Sequence, residues 1–155
     1  MNVINMEITS NCIFVNLITI TNTPAPVNDL LLHLDTGAFI TLINKDRADE
    51  HGYKIFQEKS CAISGFSEKG LICDLRKIPT AIFGGYKLEN VIIATPHDRT
   101  IKVAEVLGMN ILENFNLHLN FDALQLSVNK RLPFTSQKPK YQCGAISKVQ
   151  EQDTI

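Results

Sequence analysis

Tryptophan is missing from this 155-residue sequence, aromatic residues make up only 7%, and neither sign of charge is in excess. With 15 Lys and Arg against 16 Asp and Glu, the formal net charge is −1. That balance lacks the basic surplus a phosphate polymer or an anionic membrane surface would attract, so neither nucleic acid nor membrane is an expected partner. No CxxC pair occurs. Cys12, Cys61, Cys73 and Cys143 are scattered, and no His stands at metal-ligand spacing from them. The expectation is reduced thiols, no structural metal and no cofactor. No apolar run reaches the roughly 18 residues of a membrane helix. The opening "MNVINMEITSNCIFVNLITI" has neither the basic start nor the small-residue cleavage site of a secretory signal, which leaves a cytoplasmic protein as the expectation.

What the chain does have is 45% hydrophobic residues and 20% charged ones, the balance of a globular protein with a real core. Its length suits one domain, expected over residues 1–130, followed by a polar, aperiodic tail or arm over 131–155. The dominant period is two. "CIFVNLITI" places Ile13, Val15 and Leu17 on one face and is rich in β-branched residues, so it reads as a strand. After the break at "TNTPAPVND", the stretch "LLLHL" starts a second strand, with Leu31, His33 and Asp35 opposite the row Leu30, Leu32 and Leu34. "FITLI" reads as a third strand, and "NKDRADEHG" as one short helix capped by Asn44 and closed by Gly52.

Further on, "KIFQEKSCAIS" and "GLICDLRKIPTAIF" pair through "GFSEKG", a glycine-bracketed polar tip with the composition of a mobile hairpin. Gly84-Gly85 signals another hairpin, "IKVAEVLG" a strand, and "MNILENF" a helical turn that Asn110 can cap. "NLHLNFDALQLSV" reads as a closing hairpin. The sum is an all-β, barrel-like domain with short helices at two corners.

One short stretch carries chemistry. In "LHLDTGAFITLI", Asp35 ends an apolar strand and is followed by Thr36, Gly37 and Ala38. A carboxylate beside so many apolar residues is costly unless it is hydrogen-bonded, paired or protonated. Glycine after the Thr allows a tight turn that brings a backbone amide back to the carboxylate. By average residue usage Asp-Thr-Gly arises by chance in roughly one chain in thirty of this length. Its plainest use is a turn in which the Asp caps a local amide.

The surrounding order of parts goes further. "LLLHL", "LDTGA", the short helix, the glycine-bracketed hairpin and "EVLGMNIL" follow one another in a layout that resembles the retropepsin-like aspartic proteases, from about Ile13 to Val128. The resemblance implies an all-β, single-lobe, retropepsin-like closed barrel with one or two short helices. It implies a catalytic turn of Asp35, Thr36 and Gly37, with the Thr36 hydroxyl tying two such turns together. It also implies substrate contacts from Ala38 and from a flap containing Ile63, Ser64, Gly65 and Phe66, with Leu107-Gly108 packed below the turn.

Peptide hydrolysis in such a site uses two aspartates sharing one proton, one as base on a water and the other as acid toward the carbonyl oxygen. The chain holds one Asp-Thr-Gly, so the implied enzyme is a symmetric homodimer with Asp35 facing its two-fold mate, acting on an extended polypeptide. Two carboxylates so close cannot both ionise easily, which implies a dyad that titrates in two macroscopic steps. Two other readings stay open: a non-catalytic peptide-binding or dimerisation module on the same fold, and a self-processing protease whose main substrate is its own terminal arm.

Overall fold

Val15, Leu17 and Thr19 alternate along one face of a nine-residue strand and are fully buried, while Asn16 between them is exposed. A computed structural model of the chain describes residues 2–22, 27–57, 60–64, 70–131 and 149–151. In it that strand is β3 (Cys12–Ile20), preceded by β1 (Asn2–Asn5) and β2 (Glu7–Thr9) and followed by β4 (Val27–Leu34). Then come α1 (Lys45–Glu50), β5 (Lys54–Ile55), β6 (Cys61–Ile63), β7 (Leu71–Phe83) and β8 (Tyr86–Pro96). The order closes with β9 (Val106–Leu107), α2 (Met109–Leu112), β10 (Phe115–Asn120), β11 (Gln125–Lys130) and β12 (Val149–Glu151). Strands dominate and the two helices are short, as the period-two pattern predicts.

Among the described residues the strands form two sheets. In the smaller, β11 lies between β1 and β10. In the larger, neighbours run β12, β6, β7, β3, β4 and β9, with β2 on β3 and with β5 and β8 on β7. The β7–β8 hairpin turns on Gly84 and Gly85, with φ of 56° and 81°, between the paired Phe83 and Tyr86. Two positive φ values in succession make the tight two-residue turn that glycine favours. Pairing lapses at Pro79 and Asn90, because proline has no N–H to offer and Asn90 adopts a φ of 53°.

Two apolar clusters result. The larger is built on Val15, Leu17, Leu30, Leu32, Ile78, Phe83, Ile93 and Leu107. The smaller joins Ile40, Leu42, Ile63, Leu71, Leu75, Ile92 and Val106. The second cluster lies under the β6–β7 pair and beside the turn that follows β4, so it supports the site described next.

Several local expectations are corrected. "FITLI" forms no strand: Leu42 alone bridges Ala94 on one side and Val106 on the other, because the segment crosses between two strands instead of running along one. "IKVAEVLG" contributes only β9. Its first half is a loop clasped by Asn44, whose side chain accepts from the Val103 amide and donates to the Val103 carbonyl. That engagement takes Asn44 away from side-chain capping of α1, whereas Gly52 does take the left-handed conformation expected of it, with φ of 74°. Residues 2–5 pair with β11, a strand that the sequence reading leaves out. Cys61 is disulfide-bonded, which corrects the expectation of four reduced thiols, while Cys12 and Cys73 are free. No helix among the described residues is long and apolar enough to cross a membrane.

Candidate active site

β4 runs parallel to β9 for two residues, His33 opposite Val106 and Leu34 opposite Leu107. The pairing ends where Asp35 donates its amide to the Leu107 carbonyl at 3.1 Å. The chain then reverses over Thr36 and Gly37, and the Ala38 amide returns to the Asp35 carbonyl at 3.3 Å. Within this turn the Gly37 amide donates to Asp35 Oδ1 at 2.9 Å, so one carboxylate oxygen is held by the backbone of its own loop. This is the local amide contact that the Asp-Thr-Gly spacing predicts.

Beneath the turn lies the start of α2. The Met109 amide donates to the Ala38 carbonyl at 2.7 Å and the Asn110 amide to the Phe39 carbonyl at 3.1 Å. Gly108 makes this approach possible: a Cβ there would lie 2.5 Å from the Ile40 carbonyl carbon and 2.9 Å from the Ala38 oxygen, both backbone atoms. Leu107-Gly108 thus packs directly below the turn, as the family resemblance implies.

A buried polar network completes the support. Asn110 Oδ1 accepts from both the amide and the hydroxyl of Thr41, each at 2.8 Å, and its Nδ2 donates to the Ile92 carbonyl at 2.7 Å. The Gly108 amide donates to Thr41 Oγ1 at 3.1 Å. Every polar atom of this group is satisfied, which is the condition under which a buried amide rigidifies its surroundings. Sequence reasoning missed both residues: Asn110 read as a helix cap, although Gly108 holds that position. The available signal was a lone Asn inside the apolar "MNIL" and a lone Thr inside the apolar "FITLI".

Above the turn is a cleft of about 230 Å³ lined by Asp35, Gly37, Ala38, Phe39, Ile40, Leu42, Ile63, Ser64 and Val106. Asp35 is the charged group of that lining, Ser64 adds a hydroxyl, and the side chains of Ala38, Phe39, Ile40, Leu42, Ile63 and Val106 are apolar. The structure therefore brings together Asp35, Gly37, Ala38, Ile63 and Ser64 of the expected site residues. Thr36 lies at the exposed apex of the turn, outside the lining, and Gly37 is also exposed. Gly65 and Phe66 fall outside the described residues. His33, two residues before Asp35, packs its ring on Phe14 at 5.7 Å between centroids. Among the described residues no group of three or more His, Cys, Asp and Glu is placed to hold a metal ion.

A carboxylate fixed just past the end of a strand has a cleft above it and a glycine-packed helical turn below, on a backbone arrangement shared by solved structures of one fold. A retropepsin-like aspartic protease from Rickettsia conorii superposes over 83% of this chain and 89% of its own, at a TM-score of 0.56 and 16% sequence identity. The chain has the retropepsin-like fold. The EIAV protease complexed with the inhibitor HBY-793 also matches, over 64% of this chain and 84% of that one, with a TM-score of 0.49 and 15% identity. No family model and no curated protein matches the sequence. The retropepsin-like fold is thus recognised through its backbone, and the role of each side chain rests on the local geometry above.

Proposed function

We propose that this chain is an aspartic endopeptidase, active as a symmetric homodimer in which Asp35 and its two-fold mate activate a water molecule against a peptide bond. The observation that carries this reading is the turn itself: in a retropepsin-like fold, Asp35 follows directly on β4 with its carboxylate oriented by the Gly37 amide and opens onto the cleft. The exposure of Thr36 and Gly37 in a single chain fits the reading, since a turn that meets its own copy must lie at the surface. One aspartate acts as base on the water and the other delivers a proton to the carbonyl oxygen, the two sharing one proton between them. Thr36 ties the two turns, and Ala38, Ile63, Ser64, Gly65 and Phe66 contact the substrate. An extended peptide suits the cleft because main-chain hydrogen bonds supply affinity and apolar walls receive alternate side chains. Residues 1–130 form the catalytic domain in this reading, and 131–155 an arm.

The test is cleavage of a diverse peptide library by the parent chain and by Asp35→Asn, with sedimentation to follow the dimer. Cleavage by the parent, abolished in a variant that still dimerises, supports the endopeptidase. Equal cleavage by both sinks it. Peptide binding without cleavage by either, across a range of pH, would instead favour a non-catalytic peptide-binding module.

A further inference from the structure

Three segments converge on the carboxylate of Asp74, a residue of β7 outside the cleft lining. Ser60, the residue before β6, donates to Asp74 Oδ1 at 3.0 Å. His97, just after β8, places Nδ1 2.8 Å from the same oxygen and 3.4 Å from Ser60 Oγ. Lys45, the first residue of α1, brings Nζ to 3.8 Å from Asp74 Oδ2 and donates to the His97 carbonyl at 2.8 Å. The His97 amide in turn donates to the Ile72 carbonyl on β7 at 2.9 Å. The Asp74 side chain is only 12% exposed, so its charge depends on these partners for the solvation that water would otherwise supply.

The location gives the cluster its meaning. β6 is three residues long and pairs with β7 from Cys61 opposite Cys73 to Ile63 opposite Leu71. Just before that short strand stands Ser60, bound to Asp74; at its other end Ile63 and the next residue, Ser64, line the cleft over Asp35. A strand this short, about 10 Å from end to end, has little stability of its own. It takes its position from β7 and β12 on either side, from the disulfide at Cys61 and from what holds its ends.

We propose that Asp74 is a positioning residue: by gathering Ser60, His97 and Lys45 it clasps the base of the β6–β7 pair and sets how Ile63 and Ser64 sit over Asp35. This rests on the reading of the cleft as the peptide site, while the clasp itself is a property of the fold. Its role is mechanical and it does not touch the reacting atoms.

The experiment compares the full chain with Asp74→Asn and Ser60→Ala by amide hydrogen exchange, and measures kcat and KM on any peptide that the parent cleaves. Asp74→Asn removes the charge while keeping the shape. It is expected to speed exchange at residues 61–63 and 71–73 by about tenfold, the scale of a lost charge-assisted hydrogen bond, with exchange in β10 and β11 unchanged. Ser60→Ala cuts one tie and is expected to act in the same direction by a smaller factor. KM should rise in both variants with kcat little altered.

Unchanged exchange at 61–63 in both variants would overturn the proposal, and so would an equal acceleration in β10 and β11, which signals general destabilisation. If Asp74→Asn does not fold, Ser60→Ala decides by the same comparison. A parent that cleaves nothing counts against the proposed function and leaves the clasp to the exchange result. A cleaving parent whose variants exchange like it counts against the clasp alone.

Discussion

Asn110 Oδ1 lies 2.8 Å from both the amide nitrogen and the hydroxyl of Thr41, a residue 69 positions earlier. One side-chain oxygen thereby ties the first turn of α2 to the segment that leaves the Asp35 turn, and both partners are buried. Replacing Asn110 by Ala leaves the Thr41 amide and the Ile92 carbonyl without these partners in an apolar surround. We expect a loss of about 2–4 kcal/mol in urea unfolding, the cost of stranding buried polar groups, together with weaker peptide cleavage. A loss below about 0.5 kcal/mol, the scale of a surface substitution, would show that the network does not brace the turn.

Gly108→Ala tests the close approach from the other side. The new methyl would lie 2.5 Å from the Ile40 carbonyl carbon, and backbone cannot swing away as a flexible side chain does. The expected cost is about 1–3 kcal/mol or more, with the 38–40 segment displaced. Wild-type thermal stability in this variant would mean that α2 moves freely relative to the turn.

Acid should weaken the attachment of α1. Hydrogen bonds from Lys102 and Arg99 hold the Asp46 carboxyl below its ordinary value of 3.8. For Asp49 the largest influence is partial burial, which pushes upward, and hydrogen bonds from Arg99 and Arg76 outweigh it to leave the carboxyl lowered. Carboxylates with a depressed folded value contribute stability that is present above the ordinary value and is lost as pH falls through the folded one. The parent should therefore lose stability below about pH 4, the ordinary carboxylate range, and less steeply in high salt because these groups are largely exposed. Arg99→Ala should flatten that acid limb. Parallel stability curves for parent and variant would refute the assignment.

The free thiols of Cys12 and Cys73 should react differently. Burial pushes the Cys73 thiol up to about 12, with the Asp74 charge adding to the shift, whereas Cys12 is only half-buried. At pH 8 a native sample treated with an alkylating reagent should be modified at Cys12, and at Cys73 only when denaturant opens the core. Mass spectrometry of the digested protein reads the order directly. Native labelling of Cys73 at the rate of Cys12 would contradict the buried placement.

Much of this architecture was legible in one sequence because it depends on local rules. The alternation in "CIFVNLITI" marks β3, and Gly84-Gly85 marks a turn that only residues tolerant of positive φ adopt readily. "FITLI" misled because apolar content alone does not distinguish a strand from a segment that crosses between strands and makes one bridge to each. Asn110 misled for a related reason: a polar residue near the start of a helix looks like a cap until the fold brings Thr41 beneath it. Asp74, Ser60 and His97 gave no signal, since 14 and 23 residues separate Asp74 from Ser60 and His97.

By itself the sequence determined the strand periodicity, the tight hairpin turn and an aspartate that must find a partner for its charge beside Thr36 and Gly37. Those features follow from steric and solvation rules acting within a few residues. The tertiary structure alone decided that Gly108 lies against the Asp35 turn, that Asn110 braces it through Thr41, and that Ile63 and Ser64 face it across a cleft. Such contacts join residues far apart in the chain. Only the packing of the whole sheet, which buries the apolar faces together, brings these polar and glycine positions within hydrogen-bonding distance of one another.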